Sequence, residues 1–311
     1  MGGLRMSIFT DNRFDQNLFD HEIANLHDYE KNSLNSMRYG QSSADGSAII
    51  GRDNHIFIQG GSNRWSQQIT GNAVIADVDF DRTRRVIDSY TTECHNRDID
   101  LSIIIIPEKD VIYPEHSPNC HDIILQDRTI HKIMNEYPSV HYPWENIIRH
   151  KHCGLTYHRL DSHYNTFGGF IVFNAVLDSL NISNVSWDDI YFAHREWQDD
   201  LSIKWFAKKF TRRTLLENYR ETSIAQGNPL TGTHIKFESN MARNDDTIVV
   251  FGDSYSWNPD AGLSRFLLYR FKTVHFIWNR NINWSFVDRV KPKAIVVQSA
   301  ERFLIGGLVR S

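Results

Sequence analysis

The chain reads as an α/β protein, a three-layer α/β/α sandwich built on a mostly parallel sheet. Three observations predict this. Residues 101–106, "LSIIII", are almost purely apolar and β-branched and are stopped by Pro107, as in a strand buried on both faces. Similar runs recur in "TIVVF" (247–251), "TVHFIW" (273–278) and "KAIVVQS" (293–299). Helical stretches lie among them, "GGFIVFNAVLDSL" from Gly168 and "GLSRFLLYRF" from Gly262, and strands alternating with helices imply right-handed crossovers and a parallel sheet.

Taken in order, residues 1–46 form a polar N-terminal extension that ends in the Ser/Gly-rich linker "YGQSSADGSA". A main domain over 47–311 follows. It opens with "AIIGRDNHIFI", two apolar runs split by a Gly-Arg-Asp-Asn turn, the pattern of a hairpin. Residues 79–97 suit an amphipathic helix leading into the first buried strand. The stretch 181–246 is charged and helix-like and is expected to form an inserted helical cap. In sheets of this kind functional groups gather at the carboxyl ends of strands.

Composition narrows the function. The 311 residues are 41% hydrophobic and 23% charged, ordinary values for a globular chain long enough to bury a substantial core. A net charge of −4 with scattered basic residues argues against nucleic acid or an anionic membrane as partner. The cluster "KKFTRR" is expected to be the solvated face of a helix. No apolar window reaches the length of a membrane span, so stable insertion in a membrane is not expected. "MGGLRMSIFTDNRFDQNLFDHE" lacks an apolar signal-peptide core; the expected location is cytoplasmic, or periplasmic if a leader precedes the sequence given. Cys94, Cys120 and Cys153 are odd in number and irregularly spaced, which argues against a disulfide framework. Many of the 8 Trp, 12 Tyr and 18 Phe belong to a core, but several sit among polar residues, as in "NRWSQQ", "HYPWEN" and "IWNRNINW". Rings in such company suit a carbohydrate groove or an ordinary half-buried surface.

One constellation carries chemistry. "TIVVFGDSYSWNPDAGL" sets Ser254 three residues beyond the end of an apolar run. A serine hydroxyl needs a histidine to take its proton, and the histidine needs an acid to fix its tautomer. "YHRLDSHYNTFGG" supplies Asp161 and His163 two residues apart, so that on an extended segment both emerge on one face. "RHKHCGLTYH" packs His150, His152, Cys153 and His158 together, but its spacing matches no established zinc pattern, and His21 and His27 are too far apart for a His-Glu-x-x-His helix site. No metal is expected.

"GDSYS" after an apolar strand is similar to the first block of SGNH (GDSL-type) hydrolases. Here Asp161 and His163 precede Ser254, with Asp-x-His in place of Asp-x-x-His. That order resembles the AlgX/AlgJ family of alginate O-acetyltransferases, whose SGNH-like domain is circularly permuted. "AIIGRDNHIFI", "IDLSIIIIPEKDVIYPEHSP", "LDSHYNTFGG" and "KPKAIVVQSAERFL" are like that family's motifs, in its order, over residues 48–304. The departures are Tyr164 for a tryptophan, Thr166 for a proline and Asn54 for a glycine.

The resemblance implies Ser254 as nucleophile, His163 as general base and Asp161 as its orienter, with an acyl group held as an ester on Ser254 and passed to a sugar hydroxyl. An oxyanion needs backbone or amide donors, and the N–H of Ser254 and the side chain of Asn279 are the candidates. Tyr164, Tyr255, Trp257, Lys109 and Arg302 are candidate substrate contacts; Arg302 follows Glu301, and a structural ion pair is the alternative reading of the two. The expected function is serine-dependent O-acetyl transfer to a polysaccharide or its precursor. Two alternatives are a carbohydrate esterase using the same triad and a glycan-binding protein without turnover. No tightly bound cofactor is expected. The acetyl donor would be acetyl-CoA or a partner acyl carrier, and other polysaccharide-biosynthesis proteins are candidate partners.

Overall fold

The computed structural model describes residues 35, 37–61, 63–119, 122–123, 127–206, 209–215, 219–225, 232–242 and 244–309. Of the N-terminal extension, residues 1–34 and 36, with His21 and His27, lie outside the described residues, as does Cys120, while the linker, 39–48, lies within them. Strands β1 (Ala48–Ile50) and β2 (Ile56–Ile58) form the expected hairpin, with Ile50 opposite Ile56. Asp53 and Asn54 turn the chain at φ of 52° and 63°, a left-handed conformation that Asp and Asn tolerate best after glycine.

The remaining strands are β3 (Asp100–Ile106), β4 (Val140–His141), β5 (Phe192–Gln198), β6 (Lys209–Leu215), β7 (Tyr219–Ala225), β8 (His234–Ser239), β9 (Thr247–Phe251), β10 (Thr273–Ile277) and β11 (Ala294–Ala300). A seven-stranded sheet runs β4-β3-β11-β9-β10-β8-β7. From β4 through β10 every neighbour is parallel; β8 is antiparallel to both β10 and β7.

The apolar runs are continuous because both faces of this sheet are covered. Ile103, Ile105, Val249, Phe251, Ile295 and Val297 point to one side, where they pack with Phe80, Ile87, Ile130 and Val287. Those partners come from the helices Asp77–Asn96, Thr129–Glu136 and Trp284–Val290. Ile104, Ile106, Ile248, Val250, Val274 and Val296 point to the other side, against Phe170, Phe173, Val176 and Phe266, from the helices Thr166–Ser179 and Leu263–Phe266. Each large side chain so buried contributes about 1.5–3 kcal/mol, and the three layers follow from that alternation.

Residues 181–246 differ from expectation. The regular structure in their described part is strand, and the short 3-10 turns Trp187–Asp189 and Ser202–Lys204 are its only helical elements. β7 and β8 extend the central sheet, while β5 and β6 make a separate antiparallel ribbon. In β8 burial alternates residue by residue, the period of a strand with one wet face. The charges that suggested a helix are cross-strand partners instead: Arg220 sits opposite Glu238 and pairs with it. "KKFTRR" likewise falls on β6 from Lys209 onward, with Lys208 outside the described residues. Val185, Trp187 and Ile190 belong to the core beneath the sheet.

Candidate active site

Because β3, β11, β9 and β10 are parallel neighbours, the residues that follow each of them meet at one edge of the sheet. These are Glu108 and Lys109, Glu301 and Arg302, Asp253 and Ser254, and Trp278 to Arg280. Ser254 begins the short helix Ser254–Trp257, capped by Asp253. The turn is held by a buried polar lattice. Asp253 N–H donates to Gln298 Oε1 at 3.1 Å, and Gln298 Nε2 donates back to Asp253 Oδ1 at 2.8 Å. Asp253 Oδ1 also accepts Tyr255 N–H at 3.1 Å, and Oδ2 accepts Ala300 N–H at 2.7 Å. Gly252 is required by this lattice, since a Cβ there would lie 2.7 Å from Gln298 Oε1 and 2.9 Å from Ser256 Oγ.

Asp161 and His163 lie in an irregular loop rather than on an extended strand. Asp161 Oδ1 accepts the backbone N–H of His163 at 2.9 Å, an Asx-turn that folds the acid back over its own chain. The same oxygen lies 2.7 Å from His163 Nδ1. His163 Nε2 is 2.8 Å from Ser254 Oγ, across 91 residues of sequence. The acid, the imidazole and the hydroxyl therefore form one hydrogen-bonded chain. Two anchors fix the loop. Lys109 Nζ donates to the carbonyls of Ile56, Arg159 and Asp161 at 2.7, 2.6 and 3.0 Å. Asn165 then caps the helix Thr166–Ser179 through the N–H groups of Phe167 and Gly168.

The electrostatics favour a charged imidazole. Burial works against the imidazolium, but the hydrogen bond and negative charge of Asp161, with Asp200 beside it, outweigh burial and hold His163 above its ordinary value. Arg302 opposes them. Its Nη1 donates to both oxygens of Glu108 at 2.8 Å; burial lifts that carboxyl to about 7, and the guanidinium only partly offsets the lift.

A cleft of about 770 Å³ opens over the chain of hydrogen bonds, lined in part by His163, Asp200, Ser254, Trp278, Asn279 and Arg302. A depression of about 810 Å³ lies at the opposite, amino-terminal end of the strands, around Thr247, Lys291 and Lys293. Its lining includes no serine, cysteine or histidine, so the first cleft is the candidate site. Asn279 and Arg302 line this cleft. Tyr164 and Tyr255 do not: both are fully buried, with their hydroxyls donating to the carbonyls of Tyr255 and Ser162. Neither presents a ring to a sugar. Lys109 is 3% exposed and is spent on backbone carbonyls, so it is a strut rather than a substrate contact. Trp257 backs the cleft without lining it, its ring 5.5 Å from that of Trp278.

Glu301 and Arg302 do form ion pairs, though not with each other: Glu301 pairs with Arg128 at 2.6 Å and Arg302 with Glu108. His150, His152, Cys153 and His158 do not converge. His150 Nδ1 lies on the Asn146 carbonyl and His158 Nε2 on Asp260. Among the described residues the one group of three such donors is Asp161, His163 and Asp200. The 2.7 Å contact within it is a hydrogen bond, closer than the roughly 3.3 Å that separates two ligands of one tetrahedral zinc. Sequence reasoning missed Asp200 and Arg280, and singled out Trp278 only as one of the rings of "IWNRNINW" that suit a carbohydrate groove. Trp278 and Arg280 carried a signal, since they follow a buried strand. Asp200, in "REWQDD", carried none.

No protein-family model and no curated protein matches the chain. Among solved structures it is similar to Bacillus cereus PatB1 with a sulfonyl adduct, at 11% identity over 85% of this chain and 100% of that one, TM-score 0.57. The likeness is one of fold. A DHHW family protein from Eubacterium siraeum shares it, at 14% identity over 86% of this chain and 96% of that one, TM-score 0.54. The O-acetyltransferase domain of Pseudomonas putida AlgJ matches more loosely, at 14% identity over 83% and 92%, TM-score 0.46.

Proposed function

We propose that the protein is a serine-dependent O-acyltransferase that carries an acetyl group as an ester on Ser254 and passes it to a hydroxyl of a polysaccharide or oligosaccharide. The observation that carries this reading is the Asp161–His163–Ser254 hydrogen-bonded chain, open to a cleft large enough for a sugar.

His163 Nε2 takes the proton of Ser254 Oγ as the oxygen attacks the acetyl carbonyl, and Asp161 stabilises the imidazolium through Nδ1–H. The tetrahedral oxyanion is held by Ser254 N–H and by the Asn279 amide, whose Oδ1 is already occupied by Asn281 N–H at 2.9 Å. Collapse breaks the bond to the donor's leaving group, which departs with the proton from His163. In the second half His163 takes the proton of the acceptor hydroxyl, that oxygen attacks the acyl-enzyme, and Ser254 leaves with its proton restored. The donor is acetyl-CoA or an acyl carrier presented by a partner. The order of the motifs supports a permuted SGNH arrangement of the AlgX/AlgJ kind. No helix among the described residues is long and apolar enough to cross a membrane.

Water in place of the sugar makes the same site an esterase, and one experiment separates the two. The protein is incubated with a chromogenic acetyl ester, with and without a candidate oligosaccharide, and sugar and protein masses are followed. Acetylated sugar and an acetyl adduct on Ser254 support transfer. Free acetate alone supports the esterase, and a Ser254 that takes up no acyl group or sulfonyl fluoride refutes both.

A further inference from the structure

We infer that Asp200 is a positioning residue of this site, a second carboxylate that holds the His163 loop and stabilises the imidazolium from the side opposite Ser254. The inference rests on the reading of Asp161, His163 and Ser254 given above. Asp200 lies 39 residues from Asp161 in sequence, between β5 and the turn Ser202–Lys204, yet four contacts zip its segment onto the loop. Asp200 N–H donates to Asp161 Oδ2 at 3.1 Å, Ser162 N–H donates to Asp200 Oδ1 at 2.7 Å, the Ser162 hydroxyl donates to Asp200 Oδ2 at 2.5 Å, and Ser202 N–H donates to the Leu160 carbonyl at 3.0 Å. Asp200 Oδ2 is thereby set 3.6 Å from His163 Nδ1, beyond the Asp161 oxygen that receives the hydrogen bond. The first acid fixes the tautomer, and the second adds charge.

The groups that face His163 allow the sign of the effect to be worked out. Asp161 and Asp200 are negative. Arg302 is positive, with Glu108 paired behind it, and the Tyr255 ring lies 4.8 Å away and is neutral. Desolvation first, and then the charge of Asp161, raise the Asp200 carboxyl above the ordinary range. The Asp200 side chain keeps 42% of its surface exposed at the cleft, so water and salt screen it and its influence is smaller than that of Asp161. Removing its charge makes the imidazolium less stable, so His163 then titrates at lower pH.

The test follows the Cε1–H resonance of His163 by NMR across pH in the full chain, beside the pH dependence of kcat/KM for a chromogenic acetyl ester. Wild type, Asp200→Asn and Asp200→Glu are compared. Asparagine keeps an oxygen for Ser162 N–H while removing the charge. The His163 midpoint is expected to fall by roughly 0.5–1 unit in Asp200→Asn, equivalent to about 3–10-fold in imidazolium stability. The acidic limb of kcat/KM shifts the same way, and Asp200→Glu restores most of both. An unmoved midpoint in a folded Asp200→Asn protein overturns the inference, whatever its rate. So does a midpoint that falls equally in Asp200→Glu, which would mark a purely structural role. The midpoint is read without turnover, so its failure is separate from failure of the acyltransfer reading, which fails on Ser254 alone.

Discussion

Replacing Asp161 by Asn tests the site most sharply, because the structure dictates what each orientation of the new amide loses. Asp161 Oδ1 accepts two donors, the backbone N–H of His163 at 2.9 Å and Nδ1 at 2.7 Å. Oδ2 accepts Asp200 N–H at 3.1 Å. If the amide oxygen stays beside His163, the NH2 group faces Asp200 N–H, and a buried donor is left without an acceptor at a cost of about 1–3 kcal/mol. If the amide flips, its NH2 donates to Nδ1 and forces the proton onto Nε2, the atom that must accept from Ser254. The first orientation keeps the tautomer but loses the charge that balances the imidazolium; the second loses both. On the proposed mechanism the acyl-transfer barrier should in either case rise by about 4–5 kcal/mol, a loss of about 10³–10⁴-fold in kcat. Urea unfolding should show a deficit near 1–3 kcal/mol, and single-turnover acylation of Ser254 should slow by the full factor. An Asp161→Asn protein that is folded and within tenfold of the wild-type rate would remove Asp161 from the mechanism.

Three other outcomes follow from the same geometry. Lys109→Met strands the carbonyls of Ile56, Arg159 and Asp161 and should cost about 2–4 kcal/mol in urea unfolding; an undiminished midpoint would show that the ammonium is not a strut. Gly252→Ala drives a Cβ to 2.7 Å from Gln298 Oε1, and the turn must shift. A stability loss of about 1–3 kcal/mol and a drop in Ser254 acylation are expected, while acylation at the wild-type rate would show that the lattice does not position the serine. Because His163 is held above the ordinary imidazole value of 6.5, kcat/KM should rise with pH through an apparent midpoint above that value. The stability owed to the imidazolium runs the other way. It is full below the unfolded value and is lost as pH rises through the folded one. A kinetic midpoint below 6.5 would contradict the balance of charges described around the ring.

The parts of the fold legible in sequence are those governed by local pattern. The runs that became β3, β9, β10 and β11 are covered on both faces, so they stay apolar without alternation and stand out. The β1–β2 hairpin was marked by Asp53 and Asn54, residues suited to its left-handed turn. The region 181–246 was misread because its charges sit on paired strands, where some are answered from the neighbouring strand, as Arg220 is by Glu238. A single sequence does not display that pairing. The same divide runs through the site. Ser254, His163 and Asp161 were legible because strand end, serine, acid and histidine are a combination with chemical meaning. Tyr164 and Tyr255 resembled sugar platforms in sequence, but their hydroxyls find backbone carbonyls and the rings complete the core. Asp200 had no local signature, since its place beside His163 depends on four hydrogen bonds to a loop far away in sequence.

Under the proposed acyl transfer, whether Ser254 hands its acyl group to sugar or to water depends on how long an acceptor stays in the cleft, and Trp278 is placed to decide it. The residue follows β10 and lines the cleft. Its ring is braced by Trp257 at 5.5 Å and Phe276 at 5.9 Å, so a rigid apolar face stands beside the nucleophile. A sugar ring covering that face removes apolar surface from water on both sides; at about 25 cal/mol per Å², burying some 60 Å² contributes roughly 1.5 kcal/mol. That is about tenfold in acceptor affinity. Trp278→Ala should therefore raise the acceptor KM about tenfold. Water needs no platform, and the hydrogen bonds from Asp161 to Ser254 do not pass through the indole, so hydrolysis of a small acetyl ester should fall by less than about threefold. The ratio of acetylated sugar to free acetate, measured by mass at fixed acceptor concentration, should drop accordingly. If transfer and hydrolysis fall together, Trp278 supports the turn rather than the acceptor. If neither changes, the acceptor binds elsewhere along the cleft.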